Sequence, residues 1–135
     1  MTLIKWDDRY SVKIAKFDEQ HQRLVKLINT LYESMSLGKG QQELANILKE
    51  LVDYTRKHFS SEEALMLKHN YPHYAAHKIS HDRLTQQVME FKNQYDQGKI
   101  GLSVQMMSFL KEWLVNHILD EDKAYSSFFE SKGEK

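Results

Sequence analysis

Each of the four amphipathic stretches in this chain places histidine on its own apolar stripe, and no other feature limits the possible folds so tightly. The first stripe is His21, Leu24, Val25, Ile28, Leu31, Tyr32 and Met35. The second steps by four and three through Leu44, Leu48, Leu51, Thr55, His58, Glu62 and Leu65. The third carries His77, His81, Leu84, Val88, Phe91 and Tyr95, and the fourth Met106, Leu110, Trp113 and His117. Residues three and four apart share one face of a helix, so each stripe faces a core. A buried polar group without a partner costs on the order of 1–3 kcal/mol, and an ionised carboxylate far more. Placing His21, His58, Glu62, His77, His81 and His117 in one core would consume a folding margin of roughly 5–15 kcal/mol unless something there satisfies them. A metal site does so, because imidazole and carboxylate are then ligands and not orphans.

Breakers divide the stripes into four helices. Asp18 is a candidate N-cap for a helix over 18–37, stopped by Gly38 and Gly40; a second helix runs over 41–68. Pro72 can open a third over 73–96, which Gly98 ends, and Ser103 is a candidate N-cap for a fourth over 103–129. Trp6, Tyr10, Val12, Ile14 and Phe17 are spaced too irregularly for a helix, so residues 1–17 read as an extended N-terminal arm; 131–135 form a polar tail. Gly 5 and Pro 1 in 135 residues lie far below the average usage of about 12%, in keeping with long helices. The expected fold is all-α, an up-down-up-down antiparallel four-helix bundle making one domain over 1–135.

Composition removes several classes of function. The chain has no cysteine, which excludes disulfide scaffolds, thiolate metal sites and thiol catalysis. Nineteen Lys+Arg balance nineteen Asp+Glu, leaving no basic field for nucleic acid or anionic lipid. No apolar run approaches the length of a bilayer span, and the N-terminus lacks the pattern of a signal peptide. A cytoplasmic protein with no nucleic-acid partner and no membrane insertion is expected.

The spacing of the polar residues agrees with a metal centre. H-F-S-S-E (His58–Glu62) and H-K-I-S-H (His77–His81) are pairs four apart, which share a face and converge on one ion. In H-I-L-D-E-D, a regular helix turns Glu121 to the face of His117 and Asp122 about 140° away. Yet Tyr125 and Phe129 follow the register of Asp122. Periodicity therefore leaves Glu121 and Asp122 both open; a π-bulge after His117 would bring Asp122 inward. His69 and His73 continue the four-residue spacing back from His77, but Pro72 interrupts it, and both are assigned to the surface or to a supporting role. Trp113, Leu114 and Ile118 flank His117 and read first as ordinary core.

Taken together, the residues resemble the hemerythrin family, of the bacterial single-domain type. The resemblance rests on a lone His in D-E-Q-H-Q-R-L, then H-x-x-x-E, H-x-x-x-H and H-x-x-x-x-D in order on four helices, with Trp6 in the arm and the lead I-A-K-F-D-E-Q-H. It covers the chain from about Trp6 to Phe129. It implies a non-haem centre of two iron ions with a bridging oxo or hydroxo group that binds O₂ reversibly. Carried over by position, His77, His81 and His117 hold one iron, His21 and His58 the other, and Glu62 and Asp122 bridge them; the resemblance thus decides for Asp122. Five histidines, two bridging carboxylates and one bridging oxo group leave a pair of six-coordinate irons one ligand short, on the His21/His58 side, where O₂ would enter. Zinc is served by four ligands, and the Glu-x-x-His pairs of ferritin-like sites are absent. Leu114, Ile118 and Trp113 are the candidate lining of an apolar O₂ pocket.

The expected role is that of an oxygen carrier or store, a monomer with O₂ as its ligand and an O₂-consuming enzyme as a possible recipient, and no catalytic residues. The competing readings are a di-iron enzyme acting on peroxide, nitric oxide or ferrous iron, and an O₂ or redox sensor. The enzyme would need an electron donor, for which no docking surface is marked. The sensor would need a fused output domain, for which 135 residues leave no room.

Overall fold

A computed structural model describes residues 3–98 and 104–135. It contains α1 (Ala15–Ser36), α2 (Gln41–Lys68), α3 (Tyr74–Asp96), α4 (Val104–His117) and α5 (Lys123–Ser131). Residues Ile118–Asp122 form a π-helical turn between α4 and α5. The backbone stays right-handed helical through both junctions (φ −61°, ψ −47° at His117; φ −64°, ψ −24° at Lys123), so α4, the π turn and α5 make one rod. The result is an all-α four-helix bundle in which α1 packs on α2 and α4, and α2 on α3. No strand occurs among the described residues, nor any helix long and apolar enough to cross a membrane.

The helix ends follow from local chemistry. Gly38 takes a positive φ of 71° and Gly98 one of 73°, the left-handed conformation that lets the chain turn back on the last carbonyls of α1 and α3. At the end of α1, the Gly38 N–H donates to Met35 O and the Lys39 N–H to Ser34 O, each at 3.1 Å. At its start, α1 begins at Ala15, ahead of the expected Asp18, because extended Ile14 is the cap residue. Asp18 faces backwards: its carboxylate accepts from the Val12 N–H at 2.8 Å and the Ser11 hydroxyl at 2.6 Å, tying the arm to the first turn. α3 begins at Tyr74, two residues after Pro72. The expected cap Ser103 lies outside the described residues.

Two apolar clusters fill the bundle. The larger joins Leu24, Ile28, Leu48, Leu51, Phe59, Val88, Leu110, Leu114 and Ile118; the smaller joins Val12, Ile14, Phe17, Met66, Tyr71, Tyr125 and Phe129. Along α1, His21 lies between Phe17 of the smaller cluster and Leu24 of the larger. Along the fourth rod, Asp122 lies between Ile118 and Tyr125 in the same way. The buried polar residues thus form a layer sandwiched between two apolar ones.

The arm is fastened by side chains. Asn29 of α1 accepts from the Leu3 and Ile4 N–H groups at 3.0 and 2.8 Å and donates to Ile4 O at 2.8 Å. Lys123 donates to Arg9 O and Ser126 to Val12 O, at 2.8 and 2.7 Å. Truncating Asn29 leaves three partly buried backbone groups without their partner. Asn29→Ala should therefore lower stability by about 1–3 kcal/mol in denaturant unfolding and expose the arm to limited proteolysis. An unchanged midpoint and an uncut arm would show that the clamp adds nothing.

Candidate metal centre

Seven side chains meet in the polar layer, one from α1 (His21), two from α2 (His58, Glu62), two from α3 (His77, His81), one from the end of α4 (His117) and one from the π turn (Asp122). All are buried, Glu62, Asp122 and His21 completely. They fall into two groups, Glu62/His77/His81/His117/Asp122 and His21/His58/Glu62/Asp122, in each of which the candidate ligand atoms lie within 4.8 Å of one another. The carboxylates belong to both groups and divide their oxygens between them. Glu62 Oε1 lies 3.0 Å from His81 Nε2 and 3.8 Å from His77 Nε2, while its Oε2 lies 3.5 Å from His21 Nε2 and 3.4 Å from His58 Nε2. Asp122 Oδ1 faces His77 and His117 Nε2 at 3.1 and 3.0 Å, and its Oδ2 faces His21 Nε2 at 3.0 Å.

The π turn decides which acidic residue enters the layer. One extra residue per turn carries Asp122 round to the inner face, fully buried, and leaves Glu121 on the outer side of the His117 ring with its side chain 39% exposed. Tyr125 and Phe129 then continue on the buried face. His69 and His73 stand apart from the layer: His69 pairs with Glu134 of the tail at 2.8 Å, and His73 is exposed.

Most of the atoms that the layer turns inward lack a hydrogen bond from the protein. The Nε2 atoms of all five histidines, Glu62 Oε1 and both Asp122 oxygens are buried without a well-formed hydrogen bond. Imidazole nitrogens and carboxylate oxygens that converge, buried and unsatisfied, fit two divalent cations bridged by the two carboxylates. Burial opposes the imidazolium forms of His21, His77 and His117, but the Asp122 and Glu62 carboxylates outweigh it and lift them to about 9, about 9 and about 10. Burial holds His58 below its ordinary value. Burial would also raise Glu62 and Asp122, yet the surrounding imidazoles hold both well below the usual carboxylate range.

Several further residues support the layer. The Tyr125 hydroxyl, fully buried, donates to Glu62 Oε2. Phe59 stacks on His81 with centroids 3.9 Å apart and also packs beside His117 and Trp113. Trp113 donates its indole N–H to Leu84 O at 3.2 Å, and Leu114 and Ile118 are buried in the larger apolar cluster. Gln20, Glu63 and Glu121 lie against the outer nitrogens of His58, His81 and His117. Glu121 is in view from its four-residue spacing to His117; for Glu63, which follows Glu62, and Gln20, which precedes His21, adjacency is the one sequence signal.

Comparison with known proteins converges on one group. The family model for the hemerythrin HHE cation binding domain matches residues 12–128. A bacteriohemerythrin from Stenotrophomonas maltophilia (strain R551-3) is 33% identical over 126 residues, covering 93% of this chain and 81% of that protein. A bacteriohemerythrin from Methylococcus capsulatus is 32% identical over 126 residues, covering 93% and 95%. The crystal structure of a wild-type hemerythrin superposes with a TM-score of 0.88 at 31% identity, covering 93% of this chain and 97% of that one.

The raised imidazoles give the metal-free protein a definite pH dependence. Protonated His21, His77 and His117 stabilise the fold fully below their unfolded value of about 6.5, and this contribution is lost as pH rises through about 9 to 10. The depressed Glu62 and Asp122 contribute above the unfolded carboxylate range and lose their contribution as pH falls through their lower folded values. A cation must displace the imidazole protons, so metal binding should tighten with rising pH and release protons near neutrality. Calorimetry of zinc or cobalt binding in buffers of different ionisation enthalpy, between about pH 6 and 8, checks this. Binding that neither strengthens with pH nor releases protons would contradict protonated imidazoles at His21, His77 and His117.

Proposed function

Because the chain belongs to the hemerythrin family, we propose that it binds O₂ reversibly at a pair of iron ions, as an oxygen carrier or store and not as an enzyme. The observation that carries this reading is the division of each buried carboxylate between two histidine groups. One cation needs no such division; two side by side do. In this reading His77, His81 and His117 would hold one iron and His21 and His58 the other, with Glu62 and Asp122 shared by both. When bound, the iron pair supplies the two electrons that O₂ takes up and returns on release.

The chain supplies everything else. Five neutral imidazoles against two carboxylates add little negative charge, which favours the ferrous state compared with a carboxylate-rich site. The His21/His58 side has one imidazole fewer, and O₂ is assigned there. Tyr125 fixes the orientation of Glu62 through its hydroxyl, and Phe59 holds His81 by stacking. Leu114 and Ile118, 2% and 1% exposed and placed one turn before and one residue after His117, exclude water. Apolar packing that keeps water from the centre favours the release of O₂ unreduced.

Two measurements test the proposal. Protein loaded with iron(II) without air should take two ions per chain; His77→Ala should lose metal, and His73→Ala should not. The reduced protein should then bind and return O₂ through repeated gassing and purging, read by optical spectra with a peroxide assay alongside. Leu114→Ala or Ile118→Ser should speed irreversible oxidation. A plateau at one ion would overturn the paired centre. Stoichiometric peroxide in the first cycle of the unmodified protein would overturn the carrier in favour of an oxidase.

A further inference from the structure

The outer nitrogens of the layer histidines are not treated alike. His81 Nδ1 is hydrogen-bonded to Glu63 Oε2 at 2.7 Å, and His117 Nδ1 lies 2.5 Å from Glu121 Oε2, a close charge contact without the geometry of a well-formed hydrogen bond. On the other side of the layer, His58 Nδ1 lies 2.6 Å from the neutral amide oxygen of Gln20, and His21 Nδ1 is buried with no hydrogen-bond partner. The two carboxylates therefore both serve the His77/His81/His117 group. They are also held in place: Lys78 Nζ lies 3.4 Å from Glu63 Oε1, and the Ser80 hydroxyl donates to Glu121.

The chain builds this contact twice by the same means. His81 is clasped at both ring nitrogens by consecutive residues of α2, Glu62 at Nε2 and Glu63 at Nδ1. His117 is clasped by consecutive residues of the π turn, Asp122 at Nε2 and Glu121 at Nδ1. A carboxylate against Nδ1 makes an imidazole a stronger donor through Nε2: at His81 the hydrogen bond draws the ring proton toward the anion, and at His117 the adjacent negative charge acts on the ring through space. A neutral amide does this less, and a missing partner not at all.

We propose that Glu63 and Glu121 are positioning residues that make the His77/His81/His117 position the tighter of two cation sites and the one that favours the higher oxidation state. This rests on the ligand assignment of the preceding subsection, though not on O₂ binding. Through these two contacts the fold distinguishes the two ions electronically as well as by ligand count. The less electron-rich position is then the His21/His58 side, where an incoming ligand was assigned.

The test is a calorimetric titration of the full-length, metal-free protein with cobalt(II) under argon. The unmodified chain should take two ions, one more tightly than the other. Glu63→Gln and Glu121→Gln keep an acceptor oxygen and remove the charge; each should narrow the gap between the two affinities by about 10- to 100-fold. Gln20→Ala should widen it, because Gln20 serves only the weaker position. Glu121 is partly exposed, so its variant can be expected to fold, which circular dichroism verifies. In iron-loaded protein, the two Glu→Gln variants should raise the reduction potential of the ion reduced last, a change that loose packing alone would not impose in one direction. An unchanged gap in the Glu→Gln variants, or an equal loss at both positions, would overturn the inference while leaving the paired centre standing. Fewer than two ions in the unmodified chain would overturn the ligand assignment and the inference with it.

Discussion

The structure depends on how the chain tolerates five imidazoles and two carboxylates in one buried layer. All of these groups are buried, and apart from Glu62 Oε2, which accepts from Tyr125, the atoms they turn inward make no well-formed hydrogen bond to the protein. Opposite charges offset part of the cost: the carboxylates keep His21, His77 and His117 protonated and are themselves kept ionised. That compensation lacks the directional bonds that usually accompany buried charge. A pair of cations removes the misfit, since each nitrogen and oxygen already faces the space between the residues. The apolar clusters on either side then act as walls that hold the layer together and exclude solvent.

The π turn is the local expression of the same demand. Five residues wound as Ile118–Asp122 interrupt the α-helical rise just past His117 and shift the register by one. Without the shift, Glu121 would share the face of His117 and Asp122 would turn toward the outside. With it, Asp122 enters the layer, Glu121 supports the same histidine from behind, and Tyr125 comes into line to donate to Glu62. One irregularity thus places three polar side chains. A π-bulge of this kind loses helical regularity, and its position beside a functional layer agrees with that cost being offset there.

Support around the layer is unequal, and the inequality parallels the ligand count. The group with three histidines also has the anionic outer contacts and the stacked Phe59. The group with two has an amide on one ring and no partner on the other. Symmetry would suit a purely structural pair of ions. A centre in which one position meets the external ligand and the other stores charge is better served by the asymmetry seen in this layer.

The amino-acid sequence by itself determined the class of fold and the residue types gathered at its centre. Four stripes of helical period, few glycines and prolines, and histidines set on those stripes already require a helical bundle with a polar layer, because period reports which side of each helix must be buried. It did not decide between Glu121 and Asp122, since a regular period assumes the α-helical turn that the π turn breaks. Nor did it single out Gln20, Glu63 or Asn29, which sit on the flanks of their stripes and look like solvated residues until a neighbouring helix or the arm is set against them. The start of α1 moved ahead of Asp18 for a similar reason, because that carboxylate is taken by the arm. Period measures rotation about one helix axis. The pairing of flanks between helices, and with it the unequal support of the two metal positions, exists only once the helices pack.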